Sequence, residues 1–164
     1  MSTIRITGGC QCGAVRYALH DQPDNPHICH CRMCQKAFGS FFAPLTGVPM
    51  EKFELIRGEL AIFRSSDETE RGFCRNCGTP LTIHDVTSPR IAVSIGSLDD
   101  PAAIPPQHQS GVEARLAWFA TLPKLPGDVS TEDDNPELAS KIARTNHQHP
   151  DHDTTVWPPR AEAS

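Results

Sequence analysis

No run of apolar residues in this chain approaches the roughly 20 that a membrane-spanning helix needs, so no membrane role is expected. A basic surplus is missing as well. The 164 residues carry a formal net charge of −5, and nothing supplies the Lys- and Arg-rich face through which nucleic acid is usually held. Residues 1–7 (MSTIRIT) lack the apolar stretch of a secretory leader, which with free thiols points to the cytosol. Also absent is an even set of well-separated cysteines. The odd count and tight grouping of the seven present argue against a disulfide framework.

What the chain has instead is thiols at metal-binding spacing. Cys10-Gln11-Cys12, Cys29-His30-Cys31-Arg32-Met33-Cys34 and Cys74-Arg75-Asn76-Cys77 use every cysteine. Sulfurs one or two residues apart converge on one cation from a single turn of backbone, whereas a disulfide between such neighbours is strained. A thioredoxin-type redox pair expects Cys-x-x-Cys in a βαβ unit, and the flanks here are strand-like. Seven ligands divide into four and three. Zinc sites that hold a fold together use four protein ligands and zinc sites that do chemistry use three, so one closed and one open zinc, two per chain, are expected.

Between the clusters the apolar residues alternate or form short runs, the pattern of strands. Strands are expected at 4–7 and at 14–19, where Val15, Tyr17 and Leu19 share a face, and at 40–45, 53–56, 60–63, 81–84, 91–95 and 116–119. Eight or nine short strands make a mainly β sandwich or open barrel. One short helix is expected at 31–38, after the middle cluster.

The foldable part is expected to end near residue 123. Residues 124–164 hold eight acidic side chains against four Lys or Arg, and form an acidic, proline-containing tail expected to be dispensable for folding and metal binding. Within it, 131–135 reads as linker, and Asn135 caps a short helix at 136–146 with Pro136 at its first position and Leu138 and Ile142 as apolar anchors. His147, His149 and His152 read as solvated. Only Leu138, Ile142, Val156 and Trp157 could dock the tail, and Trp157 is the candidate to anchor it across the core or a neighbouring subunit.

Phe73-Cys74-Arg75-Asn76-Cys77-Gly78 has the form of a zinc knuckle, with Gly78 able to take a positive φ. A knuckle needs two more ligands, from Cys10 and Cys12 or from a pair in the middle cluster. Spacing does not choose between them, although only the pairing of first and last clusters leaves a self-sufficient group of three.

The order Gly9-Cys10-Gln11-Cys12-Gly13, then Cys29-His30-Cys31-Arg32-Met33-Cys34 with Gly39 behind it, then Phe73 to Leu81 (FCRNCGTPL), resembles the glutathione-dependent formaldehyde-activating enzyme family, which shares its domain with centromere protein V. The likeness covers roughly 4–123 and includes Gly96 to Pro101 (GSLDDP). It implies a zinc-bearing β-tent fold of short antiparallel strands. It also implies a structural zinc on Cys10, Cys12, Cys74 and Cys77 and a catalytic zinc on Cys29, Cys31 and Cys34. The implied activity is that of a carbon-sulfur lyase or synthase joining glutathione to formaldehyde to give S-(hydroxymethyl)glutathione, or the reverse.

Around these ligands the residues speak less clearly. His30 is expected to face solvent or bond a backbone carbonyl, with a proton relay as the functional alternative. Arg32 and Lys36 read as a solvated helix face, their functional alternative being a hold on substrate carboxylates. His84 and His108 are too isolated to assign, and no motif defines a glutathione pocket. Two other functions compete with catalysis: a non-catalytic zinc module binding a macromolecular partner, and a thiolate redox or zinc sensor.

Overall fold

The computed structural model describes residues 4–127 and 130–158. Among the described residues ten strands form two sheets. The smaller runs β1 (Ile6–Gly9), β2 (Arg16–Leu19), β5 (Phe53–Arg57), with β2 in the middle. The larger has the order β10 (His108–Ser110), β3 (Asp24–Cys29), β4 (Ala43–Pro49), β9 (Arg90–Ser94), β8 (Pro80–Asp85), β7 (Thr69–Phe73), β6 (Ala61–Arg64). The fold is mainly β, as expected, and its strand pairs are antiparallel except β10 on β3, which is parallel.

Tyr17, Leu19, Val48, Leu81, Val93 and Leu98 are buried together between the sheets. Each such aliphatic side chain adds about 1.5–3 kcal/mol when fully removed from water. The Tyr17 hydroxyl does not go unpaired in this core, since it lies 2.8 Å from Ser97 Oγ. Alternation had placed only Val15, Tyr17 and Leu19 inside, yet every residue of β2 is buried. Arg16 is the reason. Its outward face is covered by two carboxylates, Asp99 at 2.6 Å and Asp153 at 2.7 Å.

The expected 31–38 helix is α1 (Arg32–Phe38), closed at Gly39. Two expectations are corrected. The apolar stretch 116–119 is a 3-10 helix, Ala117–Lys124, because Phe119 packs against His30 and Phe42, and Trp118 against Phe41, instead of pairing at a sheet edge. The presumed linker holds α2 (Thr131–Asp134), one turn capped by the Ser130 hydroxyl and carrying three acids at its N-terminus. α3 (Pro136–Thr145) starts where expected, with Asn135 accepting from Leu138 N, but Leu138 and Ile142 are exposed.

The tail also returns to the core. His149, expected in solvent, is buried: its backbone N–H donates to Gln11 O at 2.7 Å and its ring lies over Gly13. Gly13 has φ +76°, and a side chain there would run into that ring. Trp157 packs edge-on against His149 with centroids 5.5 Å apart, and Arg57 donates to Thr154 O.

Candidate metal centres

Cys10 and Cys12 sit in the turn between β1 and β2, and Cys74 and Cys77 in the turn between β7 and β8. The two turns meet through Thr79, whose hydroxyl oxygen accepts from Gln11 N at 3.1 Å and lies 3.2 Å from Cys77 Sγ. Within the knuckle, Gly78 N donates to Cys74 O at 2.8 Å, and Gly78 itself has φ +77°. All four sulfurs lie within 4.8 Å of one another, with Cys10–Cys12 at 3.6 Å and Cys12–Cys74 at 3.8 Å. Zinc–sulfur bonds of about 2.3 Å in a tetrahedron put neighbouring sulfurs about 3.8 Å apart, so this donor set fits zinc. It does not fit disulfides, whose sulfurs touch at about 2 Å.

Cys10 and Cys77 differ in acidity. Burial pushes Cys10 up to about 12, although Val15 N–H donates to its sulfur at 3.3 Å. At Cys77 burial also acts upward, but the Thr79 hydroxyl and the backbone N–H groups of Thr79 and Cys12 outweigh it and bring the thiol down to about 6. A thiol lowered in this way is held largely as the thiolate that binds a cation at neutral pH.

The middle cluster is assembled by different means. Cys29 ends β3 opposite Ser110 of β10, and Cys31 is the N-cap of α1, its sulfur accepting from Cys34 N at 3.4 Å. The first turn of α1 then folds Cys34 back, so that three sulfurs lie within 4.8 Å of one another. No fourth His, Cys, Asp or Glu joins them among the described residues. Burial raises Cys34 to about 12 against the pull of Arg71, whose Nη1 and Nη2 approach its sulfur at 3.8 and 3.7 Å. Cys29 is also raised by burial, but hydrogen bonds from Cys31 N–H and Ser110 leave it below its ordinary value.

Residues 5–113, which include both thiol groups, match the family model of the glutathione-dependent formaldehyde-activating enzyme. The chain belongs to that family. A crystal structure of a Rhodobacter sphaeroides protein shares the fold, with a TM-score of 0.52 and 21% identity, covering 63% of this chain and 99% of that one. No helix among the described residues is long and apolar enough to cross a membrane.

In this formaldehyde-activating family member, His30 differs from expectation. It meets neither solvent nor a backbone carbonyl with its ring. It is fully buried, Nε2 donates to Gln109 Oε1 at 2.9 Å, and Nδ1 finds no partner among the described residues. Gln35, in α1, ties the same loop down by donating to His30 O at 2.7 Å and Ala114 O at 3.0 Å. Arg32 and Lys36 are exposed on α1 and line a cavity of about 340 Å³ with Met33, Phe63 and Arg71. His84 bonds Ser88 O, and His108 stacks on His27 at 5.1 Å, both away from the cysteines. Arg71, Gln35 and Gln109 escaped the sequence reading, having no local motif to mark them.

Proposed function

We propose that this chain is a zinc-dependent carbon-sulfur lyase or synthase that adds a thiol to a small aldehyde, or reverses that addition, with glutathione and formaldehyde as the first substrates to try. In this reading Cys10, Cys12, Cys74 and Cys77 hold a structural zinc, and Cys29, Cys31 and Cys34 hold the catalytic one. The observation that carries it is the difference in ligand number, four in one group and three in the other. Zinc on the three-thiol group would supply a Lewis acid with a position left for a substrate thiol or carbonyl oxygen.

The chain's own residues then bind and orient. Phe42 and Phe119 pack edge-on against buried His30, which lies in sequence between Cys29 and Cys31. Arg32 and Lys36, exposed on the neighbouring cavity, match the carboxylates of a peptide-like thiol. The test is exchange of ¹³C-formaldehyde with glutathione, followed by NMR with and without the zinc-loaded protein. Exchange accelerated by wild type and not by Cys31→Ser supports the reading. Equal rates for the two would leave a non-catalytic zinc module or a thiolate sensor, and zinc released reversibly by peroxide would select the sensor.

A further inference from the structure

We propose that Arg71 is the counter-charge of the three-cysteine centre and the residue that positions Cys34 in it. The inference rests on the reading that Cys29, Cys31 and Cys34 hold zinc. Arg71 lies in β7 between Phe63 of β6 and Ile83 of β8, and only 8% of it is exposed. A guanidinium is always charged, and burying one without an anion is costly. Among the described residues the ion pairs of arginine join Arg5, Arg16 and Arg90 to carboxylates, and Arg71 is in none of them. Its two terminal nitrogens instead straddle Cys34 Sγ at 3.8 and 3.7 Å, and Nε donates to Ser65 Oγ at 3.1 Å, which fixes the plane of the fork.

Three thiolates around a divalent zinc sum to one negative charge, and Arg71 supplies one positive charge at the buried sulfur. Among the described residues the four-cysteine group shows no such partner: its sulfurs are met by backbone N–H groups, Val15 among them, and by the Thr79 hydroxyl. One fixed cation therefore distinguishes the two centres. Arginine suits this place better than lysine, because both arms of its planar fork reach the same sulfur while Nε holds a second anchor. Partners just outside the ligand shell commonly change metal affinity by about 10–100-fold.

The experiment uses the full chain loaded with zinc, in wild-type, Arg71→Lys and Arg71→Gln forms. Chelator competition follows the release of each zinc, and the spectrum of the cobalt-substituted protein reports the thiolate-to-metal charge transfer. Arg71→Gln is expected to loosen one metal by about 10–100-fold, leave the other unchanged and shift the charge-transfer band. Arg71→Lys is expected to lie between Gln and wild type. Release within about twofold of wild type in the Gln form would overturn the proposal, as would equal loosening of both metals. A wild type holding only one zinc would overturn both the zinc reading and this inference; two zincs with no effect of Gln overturn the inference alone. Should Arg71→Gln fail to fold, Ser65→Ala frees Nε and is expected to loosen the same metal by less, and no change there would count against the proposal.

Discussion

Arg16 shows how one buried charge is made tolerable. Its guanidinium takes two hydrogen bonds to Asp99 and two to Asp153, and it is 2% exposed. Burial alone would raise the Asp99 carboxyl, but Arg16 and Thr7 hold it below the ordinary value of 3.8, and Arg16 and Arg5 do the same for Asp153. A carboxylate lowered in the fold adds stability that is present above its unfolded pKa and lost as pH falls through the folded one. Melting temperature should therefore fall steeply below about pH 4 in wild type and less so in Asp153→Asn. At pH 7, Asp99→Asn should cost about 3 kcal/mol, and Asp153→Asn, whose own carboxylate lies nearer solvent, about 1 kcal/mol. At the metal centres, Cys77→Ser should lose solubility and melt earlier, whereas Cys31→Ser should fold and lose one zinc; equal insolubility of the two would make the middle cluster structural. The cysteines were legible in the sequence because their meaning is local spacing. Arg16, Arg71 and His149 were not, because each is defined by a partner at least 37 residues away, as Arg71 is by Cys34.

Among the elements, α1 does most to shape the three-thiol group: its N-cap and first turn carry two of the sulfurs, and Gln35 on its buried side stitches it to His30 and Ala114. Gln35→Ala should strand both carbonyls, lowering stability by about 1–3 kcal/mol and loosening one of the two zincs, a selectivity that metal analysis after mild chelation would check. Strands that alternate apolar and polar residues, such as β5, β8 and β9, lay close to where periodicity put them. Three others were invisible. β3 (Asp-Asn-Pro-His-Ile-Cys) contains a proline, accommodated where its register with β4 shifts between Asp24 and His27. β7 (Thr-Glu-Arg-Gly-Phe) hides a buried arginine and a glycine pressed against Thr82 and Leu60. β10 (His-Gln-Ser) has only three polar residues and exists because β3 offers it an edge.

For the whole molecule the main revision concerns the tail. All seven cysteines precede residue 124, so removal of 126–164 should leave zinc content intact. The docking of His149, Asp153 and Thr154 onto β2, β5 and the first cysteine turn means that stability should not survive unchanged: a drop in melting of about 5–10 °C is expected, and no drop would show that these contacts contribute nothing. We propose 4–123 as the zinc domain and 124–164 as an extension that braces it. The union of the two outer cysteine turns bears on the history of each chain. Cys12 and Cys74 are 62 residues apart, so completing their group closes a long loop, at an entropic cost of about 4 kcal/mol that the unfolded chain resists. The middle cluster spans six residues and closes at about 2 kcal/mol, roughly half that cost. On the ribosome it is complete once Cys34 has emerged, forty-three positions before Cys77. With one protein ligand fewer, the three-cysteine group is expected to yield its metal first to a chelator, so a nascent chain should load first the group that the finished protein empties first.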